Sequence, residues 1–128
     1  MRLLLDTHLL LWTAGKSQML SREAVGLIAA PENEINYSVV GLWEIAIKNG
    51  LGRSDFSVDL ALLRRRLLDN GYREIPVTGE HALAIEKLPG LHRDPFDRLL
   101  VAQATVEGMI LLTADATLAS YGRAVRRV

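Results

Sequence analysis

Apolar residues fall along this chain in two alternating forms, short unbroken runs and longer stripes at helical spacing. Leu3-Leu4-Leu5 and Met109-Ile110-Leu111-Leu112 are unbroken runs, the form taken by strands covered on both faces of a parallel sheet. Glu34 to Ser38, Tyr72 to Val77 and Ala124 to Val128 supply three more strand candidates. Between them the pattern predicts a helix from His8 to Gly15 and another from Ser21 to Ala30, capped by Ser21 and stopped by Pro31. Ser38 can cap a third, Val39 to Ile47, which Asn49-Gly50 ends. That helix is apolar nearly all round, so it is expected to be largely buried, and Trp12 and Trp43, set among leucines and isoleucines, are expected in the core.

Gly50 to Ser57 reads as a loop, and Val58 to Asn70 as a helix with an apolar stripe and Gly71 as its C-cap. Arg64-Arg65-Arg66 interrupts that stripe, more in keeping with a solvated face than with a nucleic-acid patch. Thr78 caps a helix to about Lys87, and Leu88 to Arg93 is a loop around Pro89-Gly90. Asp94 then stands at N-cap before Pro95, opening a helix that runs to Glu107 and ends at Gly108. Strands alternating with helices give one α/β domain over residues 1–128, a central parallel sheet covered on both faces and joined by right-handed crossovers. Such sheets bind ligands beyond the C-terminal ends of their strands, where the strand order reverses.

Four acids occupy places where that rule gives them meaning. Asp6 directly follows the first run, Asp115 closely follows the fourth strand, and Glu44 and Asp97 lie early in apolar helices. Each has a plain alternative. Asp6 and Asp115 can cap the helices they precede, Asp97 can serve a capping box, and Glu44 can pair with Lys48 four residues on. Together they are more simply explained as one shared site at the sheet rim. Clustered carboxylates repel and raise one another's pKa unless a cation shares them. An all-oxygen donor set favours Mg²⁺ or Mn²⁺, and such an ion supports phosphodiester hydrolysis by activated water, with arginines on the phosphate. His92 and Arg93 can orient substrate or simply flank a turn.

Composition narrows the field. The 128 residues contain no cysteine, which excludes disulfides, thiolate zinc sites and cysteine nucleophiles. The three histidines are scattered and give no support for an imidazole metal site. Lys plus Arg equals Asp plus Glu at 15 each, so overall charge does not point to nucleic acid. No run is long enough to cross a bilayer, and the N-terminus lacks the features of a cleavable signal, so a cytoplasmic location is expected. No Gly-x-x-x-x-Gly-Lys loop is present for nucleotide triphosphates.

Leu3-Leu4-Leu5-Asp6-Thr7-His8, Leu42 to Lys48, Leu88-Pro89 to Ala104 and Leu112-Thr113-Ala114-Asp115, in that order, resemble PIN-domain ribonucleases, most closely the VapC toxins of type II toxin–antitoxin systems. The resemblance implies a three-layer α/β/α sandwich and Mg²⁺- or Mn²⁺-dependent endoribonuclease activity. It also implies an RNA substrate, a VapB-like antitoxin that neutralises the toxin, and a homodimer. It assigns Asp6, Glu44, Asp97 and Asp115 to the acidic metal site. Thr7 and Thr113 become hydroxyl neighbours, and Arg93 and Arg98 substrate or supporting contacts. Asp94 is an extra carboxylate with no assigned role. Two other readings compete: a receiver-like signalling domain, disfavoured because Asp6 stands alone and no lysine follows Lys87, and a module binding RNA or antitoxin without turnover.

Overall fold

The computed structural model describes residues 1–128. Five strands form one all-parallel sheet: β1 (Arg2–Leu5), β2 (Glu34–Ser38), β3 (Arg73–Ile75), β4 (Ile110–Thr113) and β5 (Val125–Arg127), in spatial order β3-β2-β1-β4-β5. Helices α1 (Thr7–Gly15), α2 (Arg22–Ala29), α3 (Val39–Gly50), α4 (Leu60–Asp69), α5 (Gly79–Ile85), α6 (Pro95–Glu107) and α7 (Ala116–Ala119) connect them, with a short 3₁₀ turn at Ser17–Met19.

The alternation of side chains along a strand explains the three layers. Leu3 and Leu5 belong to one apolar cluster with Leu9, Leu10, Leu63 and Leu67, under α1 and α4. Leu4, between them, belongs to a second cluster with Leu100, Val101 and Leu118, under α6 and α7. Leu3, Leu4, Leu111 and Leu112 are all 0 % exposed, as a strand sandwiched between helices requires. Full burial of each such side chain contributes about 1.5–3 kcal/mol. The strand order reverses between β1 and β4, which run in register from Leu3 with Ile110 to Leu5 with Leu112. Residues just past Leu5 and Thr113 therefore face one another across the reversal point.

The structure overturns two expectations about α3. Only Val40, Gly41, Glu44 and Ile45 of this helix are buried, so it is not largely covered. Trp43 is 59 % exposed rather than in the core, resting edge-on against Phe96 with ring centroids 5.1 Å apart. An all-apolar helix needs only one face for the sheet, and here the other is left to solvent. Trp12, by contrast, does pack against the first cluster.

The helix expected from Val58 begins at Leu60. Asn49 accounts for the difference: its side chain donates to the Val58 carbonyl and accepts the Val58 N–H, holding that residue extended, and Asp59 becomes the cap. The third strand is shorter than Tyr72 to Val77, because Pro76 has no N–H to continue the ladder. The helix capped by Thr78 stops at Ile85 rather than Lys87. No helix is long and apolar enough to cross a membrane.

Candidate functional site

Asp6 is the residue at which β1 becomes α1. Its Oδ1 accepts the Leu9 N–H at 2.9 Å, capping the helix, and its Oδ2 accepts the Thr113 hydroxyl at 2.6 Å. Thr113 ends β4, is 0 % exposed, and its Oγ1 also accepts the Asp115 N–H at 3.0 Å. One buried hydroxyl thus ties together the acids that follow the two central strands. Asp115 caps α7 through the Thr117 N–H at 2.7 Å. Asp6 and Asp115 thus both cap the helices they precede while standing at neighbouring strand ends.

Glu44 reaches the rim from α3 and is buried. The Thr7 hydroxyl donates to its Oε1 at 2.7 Å, and Lys48 Nζ lies 3.1 Å from its Oε2. The expected pairing with Lys48 is present, but at a buried carboxylate and not on an open helix surface. Asp97 stands in the first turn of α6, whose cap is Asp94: Asp94 Oδ1 accepts the N–H groups of Phe96 and Asp97. That gives the extra carboxylate, Asp94, a structural task and leaves the Asp97 carboxylate free of any helix-capping bond.

His92, expected either to orient substrate or simply to flank a turn, joins the group. Its Nε2 lies 3.4 Å from Asp115 Oδ2 and 3.5 Å from Asp97 Oδ2, and its backbone N–H donates to the Tyr121 hydroxyl at 3.1 Å. His92, Asp97 and Asp115 are close enough to share one ion. The Asp94 N–H, however, donates to His92 Nδ1 at 3.0 Å. Nδ1 must then carry the lone pair, which puts the ring proton on Nε2 of the neutral imidazole. In this arrangement His92 donates toward the carboxylates rather than competing as a ligand. The signal that could have flagged it is position: the loop from Leu88 must return to the rim for Asp94 to cap α6 there.

Burial and neighbouring charge both act on these carboxyls. Burial pushes the Asp97 carboxyl up to about 7, reinforced by Asp94, Glu44 and Asp6, against a smaller opposing effect of His92. Burial likewise raises Asp6, despite the bonds from Leu9 and Thr113. Asp115 is lowered: its burial acts the other way but is outweighed by the Thr117 N–H, His92 and the Leu118 N–H. Asp97 thus carries an anionic cost that His92 offsets only in part. Hard oxygen donors crowded in this way fit a hard divalent cation.

Arg98 donates to the Ile85 carbonyl at 3.3 Å, so it ties α6 to α5. Arg93 is exposed beside His92. The structure therefore brings Asp6, Glu44, Asp97, Asp115, Thr7 and Thr113 to one rim, adds His92, and uses Arg98 elsewhere.

The family model for the PIN domain matches residues 3–124. The chain belongs to the PIN-domain family. No curated protein matches it in sequence. Among solved structures, this PIN domain is similar to VapBC2 from Rickettsia felis bound to a DNA fragment from its promoter, at 17% identity and TM-score 0.73, covering 99% of this chain and 98% of the other. It is also similar to VapBC-5 from Mycobacterium tuberculosis, at 19% identity and TM-score 0.62, with 99% and 98% covered. A toxin–antitoxin complex from Klebsiella pneumoniae matches at 20% identity and TM-score 0.60, with 96% and 94% covered. At such identities the likeness establishes the fold, and it agrees with the α/β/α sandwich of this PIN domain.

The Thr113 hydroxyl yields one prediction for this PIN domain. Thr113→Val keeps the shape but leaves a buried Asp6 oxygen without its donor, so the protein should lose roughly 1–3 kcal/mol of stability. Urea unfolding checks that loss. Equal stability of variant and parent would show that the bond to Asp6 contributes nothing.

Proposed function

We propose that this PIN domain is a Mg²⁺- or Mn²⁺-dependent endoribonuclease of the VapC toxin type. The observation that carries the proposal is the gathering of Asp6, Glu44, Asp97 and Asp115 at the reversal point of the sheet, where burial, with the charges of Asp94, Glu44 and Asp6 nearby, pushes the Asp97 carboxyl up to about 7. In this reading the four acids hold the ion, which when bound supplies Lewis acidity toward the phosphate and water. Thr113 orients Asp6 and Asp115 through its hydroxyl, and Thr7 orients Glu44. His92 Nε2–H holds Asp97 and Asp115 in mutual reach. Arg93, exposed at the rim, is the arginine free to meet the substrate phosphate, while Arg98 sets the position of α6.

A VapB-like antitoxin and a second copy of the chain are the proposed protein partners, in the cytoplasm. The similar solved structures are toxin–antitoxin complexes. Support from this chain itself comes from α3 and its C-cap, where Trp43, Ile47 and Leu51, at 59, 41 and 60 % exposed, recur every fourth residue as an apolar strip. Exposed apolar strips of this kind mark protein interfaces.

The test is incubation of purified, antitoxin-free protein with total cellular RNA in Mg²⁺, Mn²⁺ or EDTA. Discrete new ends in either metal and none in EDTA are expected. Cleavage indifferent to EDTA, or no cleavage by folded protein in either metal, overturns the proposal.

A further inference from the structure

A cleft of about 550 Å³ opens between α1, the end of α3, the loop 51–59 and the start of α4. It lies within the roughly 300–1,000 Å³ of small-ligand sites. Its wall is fastened rather than loose, because the two bonds between Asn49 and Val58 pin the loop to α3.

Three kinds of side chain line it. Leu11, Leu51, Leu62 and Leu63 supply an aliphatic wall, Trp12 and Phe56 offer aromatic surface, and Lys16, Lys48, Arg53 and Arg66 offer positive charge. Of these cations only Lys48 has an ion-pair partner within the protein, Glu44. Two acids share the cleft, and one of them, Asp59, is committed to capping α4 through the Leu62 N–H. Cations therefore outnumber acids four to two in a recess with aromatic walls. Lys48 also borders the acid site, since its ammonium lies 3.1 Å from Glu44 Oε2. The cleft and the acids are thus adjoining compartments separated by one ion pair.

We propose that this cleft is a nucleotide subsite, receiving a base of single-stranded RNA next to the cleaved bond. The base stacks on Trp12 or Phe56, and its flanking phosphate meets Lys48, Arg53 and Arg66. Single-stranded nucleic acid is held by this combination of aromatic stacking and cationic contact. A wholly apolar recess would instead fit a protein helix. The subsite rests on the nuclease reading of the acids and adds to it the element that selects which base lies beside the cut.

The experiment needs no catalysis. The chain has two tryptophans, so Trp43→Phe leaves Trp12 as the sole indole reporter. In EDTA this protein is titrated with each nucleoside 5′-monophosphate and with a mixed-sequence RNA ten-mer, reading Trp12 fluorescence. Saturable quenching is expected, stronger for one base than for the others. Adding Phe56→Ala should weaken it roughly ten-fold. For the ten-mer, adding Arg53→Ala or Arg66→Ala should lower the slope of log affinity against log salt by about 0.7 each.

Asp97→Asn should leave this binding intact, because the cleft does not use that acid. Quenching that never saturates, or affinities unchanged in the Phe56 and arginine variants, overturns the proposal. So does a cleft filled by an amphipathic antitoxin peptide while nucleotides leave Trp12 unquenched. Failure of the nuclease reading would appear separately, as absent metal-dependent cleavage with nucleotide binding intact.

Discussion

Replacing Asp97 with Asn is expected to reduce RNA cleavage by more than about 100-fold, beyond the 10–100-fold typical of losing a group that only supports a metal ligand. In the same variant the metal-free fold should become more stable near pH 8. The two effects share one cause. The Asp97 carboxyl titrates at about 7 in the fold against an ordinary value of 3.8, so folding favours its protonated form. The folded protein then binds more protons than the unfolded chain between these values, and stability falls as pH rises from about 4 to about 7. Above about 7 the loss is complete. Because the carboxylate is partly solvated, screening lets only a fraction of this displacement appear as folding free energy. We expect Asn to recover about 1–2 kcal/mol at pH 8, or roughly 3–8 °C in Tm, and nothing near pH 4. Thermal unfolding in EDTA at the two pH values checks the sign. A variant less stable than its parent at pH 8 would contradict the crowding described for Asp97.

Metal affinity should carry the same proton. Below about pH 7 an ion binding at Asp97 must displace the proton held there, so affinity for Mn²⁺ should fall by as much as about ten-fold per pH unit and level off above that point. Near pH 6 close to one proton should be released for each ion bound. Electron paramagnetic resonance of free Mn²⁺ from pH 5.5 to 8 gives the affinities, and calorimetry in buffers of different ionisation enthalpy counts the proton. The Asp97→Asn protein should lose this dependence along with much of its affinity. A pH-independent affinity in the parent protein would show that Asp97 does not bear on the ion.

Much of this architecture can be read from the chain because its central strands are unbroken apolar runs. Leu3 to Leu5 and Ile110 to Leu112 have one structural solution, burial on both faces, and that solution places Asp6 and Asp115 at neighbouring strand ends. Edge elements are less legible. β3 has a partner on one side only, and its length depends on where Pro76 interrupts the ladder. The start of α4 is set by a side chain nine residues before Val58, a contact that no local pattern encodes.

The same distinction applies at the site. Asp6 is marked by its place after a strand, and Asp97 by its place in a charged first turn. His92 belongs to the site only because Asp94 and Tyr121 hold its loop against the rim. Trp43 lies outside the core despite its apolar neighbours, because periodicity reports which residues are apolar but not how many faces of a helix find a cover.

The sheet ends in two strands of only three residues each, and both carry arginine: Arg73 in β3, Arg126 and Arg127 in β5. Short margins bearing charged side chains resist being extended by a strand from another molecule. Ribbon-to-ribbon joining, and the fibrous growth it can seed, is thereby closed off at both sides of the molecule. Encounters between chains are turned toward the helical layers, where the exposed apolar residues of α3 lie.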